Sequence, residues 1–151
     1  MKKQFKLLEA TRKNLLDAVK DMTLEQLNHI PMGFNNNLIW NMGHVLVTQQ
    51  LLCYALAGVA CKVDNAMIAK YRKGTKPTEA VEAEEVVFIK QRMVETIEET
   101  KSDVAAGNFK NFNEYPTSYG ITLHSLEEAI EFNNLHEAMH FGYVLALKHA
   151  L

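Results

Sequence analysis

Cysteine is scarce in this chain: Cys53 and Cys61 are the only two in 151 residues. Their spacing forms neither a C-x-x-C pair nor a zinc knuckle, and with no export signal it points to reduced thiols in a cytoplasm. Cys53 falls in an apolar helical stretch and reads as core packing. Long hydrophobic runs are missing as well. No window reaches the ~18 apolar residues of a membrane span, and Met1-Lys2-Lys3-Gln4 leads into an amphipathic helix rather than a signal peptide. Charge of one sign is not in excess. With 16 basic and 18 acidic residues the net charge is -2, which argues against nucleic acid or an anionic membrane as partner. Sustained period-two alternation is absent, so no segment reads as a strand. Proline occurs three times, at positions 31, 77 and 116, always between the apolar-periodic stretches.

What remains is helical periodicity in a chain of ordinary hydrophobic content, 48%, expected to form one domain over 1–151. A first helix is expected from about Gln4 to Asp21, with Phe5, Leu8, Leu15, Val19 and Met22 as its core stripe. Thr23-Leu24-Glu25-Gln26 reads as a capping box opening a short helical turn to about His29. Asn37 is a good N-cap for a second long helix over about Leu38–Ala57, which Gly58 stops. The connection from Gly58 to Pro77 is longer than a helical hairpin needs, carries a helical turn around Asn65–Tyr71, and suits a crossover. A third helix is expected from near Thr78 to Ala105. A loop with Pro116 and Gly120 leads to Ser125-Leu126-Glu127-Glu128, a further capping box, and to a fourth helix that occupies the rest. The fold class is all-α: a four-helix bundle with one long crossover between helices two and three.

The most informative stretch is His136-Glu137-Ala138-Met139-His140. Two histidines four residues apart lie one turn apart on one helix face and can grip one divalent ion. They share that face with Phe132, Tyr143, Val144 and Leu147 by the ~100° per residue rule, so the pair points inward, where unpartnered polar groups are costly. Two core histidines bonded to backbone or to each other are the bland alternative. Among the other histidines, His149 is turned to the opposite face, and His124 is about 18 Å away along the helix by its ~1.5 Å rise per residue. His29 lies in a polar turn. His44 differs: with Trp40, Val47 and Leu51 it forms an inward stripe on helix two. Gly43 beside it costs about 1 kcal/mol of helix stability relative to Ala, which suggests either a close approach or tight helix packing there. One histidine from helix two and two from helix four make three neutral imidazoles in a bundle core. Three such ligands leave a position open, as catalytic sites do, and zinc or nickel suits them equally.

Trp40-x-x-Gly43-His44 followed by His136-Glu137-x-x-His140-x-Gly142 resembles the DinB-like superfamily, small bacterial four-helix bundles that include YfiT-like proteins regarded as metal-dependent hydrolases. The resemblance spans nearly the whole chain and includes the Thr117-Ser118-Tyr119-Gly120 loop. It implies that His44, His136 and His140 bind a divalent metal, usually zinc or nickel. It further implies hydrolysis, or S-transfer or isomerisation with a low-molecular-weight thiol, on a small-molecule substrate it does not specify. Asn41 and Tyr143, each about one turn from a histidine, are candidates to line the pocket.

Two other readings compete. His136-Glu137-x-x-His140 matches H-E-x-x-H, which in metalloproteases supplies two zinc ligands and a glutamate base. Gly142 and His149 are displaced from the extended protease motif, no acidic residue follows on a later helix, and no strand edge awaits a peptide. A non-enzymatic dimeric binding module is the other. Leu135, Met139, Phe141, Leu145 and Ala146 make the fourth helix apolar nearly all round, and Val45, Leu46, Leu52 and Tyr54 do the same for helix two. Such surplus suggests a homodimer.

Overall fold

The structure is a computed structural model describing residues 1–151. Its long helices are α1 (Lys2–Ala18), α3 (Leu38–Gln50), α5 (Ala83–Ala105) and α6 (Leu126–His149), with short α2 (Leu24–Asn28) and α4 (Asn65–Tyr71) in the connections. In the bundle α1 packs on α5 and α6, and α3 packs on the same two, so α1 and α3 stand diagonally across the core. The fold is all-α, as the helical periodicities require.

The caps act where their sequences place them. Thr23 and Gln26 form a reciprocal capping box, and the Asn37 side chain accepts from the backbone N–H of Trp40. Ser125 accepts from Glu128 N–H, but Glu128 reaches back to the N–H of His124 rather than to Ser125, so that box is only half formed. Two boundaries move. Helix α1 ends at Ala18, three residues short of Asp21, and α5 begins at Ala83 rather than near Thr78. Asn28 ties down the stretch before α5 by holding both backbone groups of Val81, at 2.8 and 3.0 Å. A small hairpin breaks the all-helix expectation: β1 (Tyr115–Pro116) pairs antiparallel with β2 (Thr122–Leu123).

The end of α3 is unusual. Over Leu51–Ala55 its hydrogen bonding widens into a π-turn, with Leu56 N–H bonding Leu51 C=O at 3.2 Å. Chain direction then reverses at Gly58, whose φ of +68° few other residues adopt. Such π-turns recur near functional sites, and this one forms a wall of the cavity described next. Helix α3 runs through the core and buries every residue from Leu38 to Val47. Val45, Leu46, Leu52 and Tyr54 are all buried within the chain. Helix two therefore has no surplus apolar surface to offer a second copy.

Candidate metal centre

Helix α3 contributes His44, and α6 contributes His136 and His140. One ring nitrogen from each lies within 4.8 Å of the others. His44 Nε2 and His136 Nε2 are 3.2 Å apart, close to the ~3.3 Å expected between two ligands ~2.0 Å from a tetrahedral ion. The sequence placed these three side chains together, and the fold does so.

Their tautomers follow from their partners. A carbonyl oxygen can only accept, so His44 Nδ1–H donates to Tyr71 C=O at 2.7 Å and leaves Nε2 as a bare lone pair. His140 Nδ1–H donates to Asn41 Oδ1 at 2.8 Å. Asn41 is itself oriented, because its amide donates to Asn36 Oδ1 and Asn37 C=O. Two of the three imidazoles thus carry the second bond that fixes ligand histidines. The third does not: His136 Nδ1 is buried with no protein partner. The Trp40 ring lies parallel to His44, at 9° and 4.7 Å between centroids. Burial pushes the pKa of His136 down to about 3, helped by the other two rings, and that of His140 down to about 4. His44 is lowered by burial as well. All three rings are therefore neutral near pH 7, the form that ligates metal. The donor set fits a divalent ion: three neutral nitrogens converge, two with fixed tautomers, and no carboxylate intrudes.

Gly43 has its reason in the fold. A Cβ there would lie 2.5 Å from Cδ1 of Tyr71, so α4 can press its last ring onto α3 only where the side chain is missing. That contact brings the Tyr71 carbonyl to His44. Of the two readings of Gly43, close approach is the one realised.

The triad opens on a cavity of about 510 Å³. Leu51, Leu52, Ala55 and Leu56 of the π-turn line one part, Phe132 and Met139 of α6 another, and Tyr115, Thr117, Ser118 and Tyr119 of the hairpin a third. Asn41 and Tyr143 do not line it. Asn41 supports His140 from behind, and Tyr143 packs edge-on against Phe34 at 5.5 Å. Glu137 is not in the wall either. It is fully buried against Arg12, whose Nη2 donates to Oε1 at 2.8 Å and whose Nε donates to Oε2 at 3.0 Å. Arg12 also donates to Met93 C=O and Thr96 Oγ1. A carboxylate committed in this way, away from the cavity, removes the base a metalloprotease would need.

Arg12 was absent from the expected core, although a signal existed: position 12 fills the gap in the stripe 5, 8, 15, 19. Cys53 is fully buried, its thiol pushed up to about 12 by desolvation. His29, His124 and His149 are exposed, as their positions suggested.

A family model for the DinB superfamily matches residues 7–144. The chain belongs to the DinB superfamily. No curated protein compared with it matches. Membership and the histidine triad of this DinB protein together are compatible with metal binding. No helix is long and apolar enough to cross a membrane.

Proposed function

We propose that this DinB-superfamily protein is a divalent-metal-dependent enzyme acting on a small molecule, either a hydrolase or a thiol-dependent S-transferase. The reading is carried by one observation: three neutral imidazole nitrogens converge within 4.8 Å at the wall of an apolar cavity. His44, His136 and His140 would hold the ion, zinc or nickel. When bound, it supplies Lewis-acid activation of a water or low-molecular-weight thiol. The chain's own groups do the rest. Tyr71 C=O and Asn41 Oδ1 keep two rings in the ligating tautomer. Leucines of the π-turn exclude water, and Thr48 Oγ1, 3.4 Å from His44 Nε2, stands ready to hydrogen-bond whatever occupies the open position. A cytoplasmic location goes with this reading.

Elemental analysis after loading with zinc or nickel tests it. One ion per chain is expected, and His136→Ala should abolish stoichiometric binding while helicity by circular dichroism persists. Full metal in a variant with all three histidines changed to Ala would place the ion elsewhere.

The same α6 favours a homodimer, the arrangement a binding module would also use. Leu135, Met139, Tyr143 and Leu145 are each between 37% and 44% exposed. Left in water, apolar surface costs roughly 25 cal/mol per Å². Sedimentation equilibrium should give about twice the 17.1 kDa chain mass, and Leu145→Glu should return it to a monomer. A single 17.1 kDa species at all concentrations rejects the pairing.

A further inference from the structure

We propose that the cavity takes a small organic anion with an apolar body, and that Lys73 reads its charge. The proposal rests on the cavity being the substrate site of the metalloenzyme reading and narrows that reading to a ligand class. Three features lead to it. The walls are largely hydrocarbon, from Leu51, Leu52, Leu56, Phe132 and Met139, and would reward desolvation of an apolar body rather than of a sugar or peptide. Next, although the chain has 18 acidic residues, none lines this cavity. Lys73 is the one lysine or arginine in its wall.

The third feature is that this charge is free. Lys70, one turn earlier, is neutralised by Glu85 at 2.7 Å, and Lys62 by Asp103 at 3.0 Å. Lys73 has no carboxylate within 4.0 Å. Its place is set by the segment that buttresses the triad, for it follows by two residues the Tyr71 carbonyl that holds His44. A divalent ion on three neutral ligands would keep its full charge, so both fixed charges facing the cavity would be positive. An unopposed cation on an apolar wall favours a carboxylate or similar anion over a neutral or cationic isostere. Lys73 is exposed, so the preference should weaken as salt rises.

Calorimetric titration with heptanoate, heptan-1-ol and heptylamine, three probes of equal chain length, tests the assignment. The full chain is used both zinc-free and zinc-loaded, near neutral pH and at low salt. In zinc-free protein heptanoate should bind about threefold more tightly than the alcohol, with the amine weakest. Lys73→Gln should erase the carboxylate preference and leave the alcohol's affinity and the zinc stoichiometry unchanged. Lys76→Gln, which alters a lysine of the separate cleft beside Trp40, should change nothing. Equal binding of alcohol and carboxylate, a preference that survives Lys73→Gln, or no binding of any probe overturns the proposal. Failure of zinc to bind would overturn the metalloenzyme reading alone, because the zinc-free comparison stands without it.

Discussion

Glu137 and His136 are neighbours on α6, yet their polar atoms are treated in opposite ways. Glu137 is wholly buried with both oxygens engaged, by Arg12 from α1 and by Asn133 one turn back, at 2.8 to 3.2 Å. His136 faces the cavity, with one nitrogen 3.2 Å from another imidazole's lone pair and the other nitrogen unpartnered. The first arrangement is closed: Arg12 and Glu137 answer each other and fix how α6 is rotated against α1. The second is open and calls for something the chain itself lacks. A helix turned by the closed pair presents the open one, so a motif that looks like one unit divides into a structural face and a functional face. The physical reason is desolvation. A buried carboxylate must be matched by charge and hydrogen bonds, whereas a neutral imidazole can stay underbonded at smaller cost.

Breaking the closed side should have the largest effect. Arg12→Ala would leave Glu137 buried without its counter-charge and should destabilise the fold by about 3–5 kcal/mol. Urea denaturation reads this, and Arg12→Met combined with Glu137→Leu should recover most of the loss. If Arg12→Ala costs no more than an exposed ion pair, under about 1 kcal/mol, the pair does not fix α6.

Loosening the open side should act on metal rather than on folding. Asn41→Ala removes the acceptor of His140 Nδ1–H and should weaken zinc affinity by about 10–100-fold, measured by chelator competition. A loss of stability without loss of affinity would put Asn41 in the wrong class.

The smallest effect sharpens the contrast through pH. In the metal-free chain the folded-state pKa values of His136 and His140 are lowered, to about 3 and about 4, below the ~6.5 of an unfolded histidine. As pH falls below ~6.5 the unfolded chain takes up protons that the folded one refuses, so stability should be full above that value and decline down to about 3. Thermal melts at stepped pH should show this slope, and His136→Ala should flatten it. A slope unchanged in that variant would assign it to other groups.

Much of this was legible along the chain. The helix caps, the Asn65–Tyr71 turn and the stop at Gly58 are local, set by residues within one turn of each other, and sequence carries such information directly. The triad was legible because helical spacing puts His136 above His140, and because His44 shares the inward stripe of Trp40, Val47 and Leu51. Arg12 was harder to see, since a charged residue on a core stripe reads as an error until its partner on another helix is known. The surplus attributed to α3 was misjudged for the opposite reason. A helix apolar all round can be covered by its own bundle, and α5, α6 and the short helices of the connections cover this one.

The sequence by itself determined the all-α class, the order of the helices, the caps at Thr23, Asn37 and Ser125, the inward pair on α6 and its partner on α3. Short-range sterics and the 3.6-residue period suffice for these. Only the tertiary structure decided that Glu137 pairs with Arg12 and stays out of the histidine cluster. It also decided that the Tyr71 carbonyl and Asn41 hold His44 and His140, that Gly43 is small because a ring lies against it, and that Lys73 lines the same cavity as the three histidines. Each brings together segments far apart in the chain, which depends on how helices rotate against one another, and no local spacing encodes that.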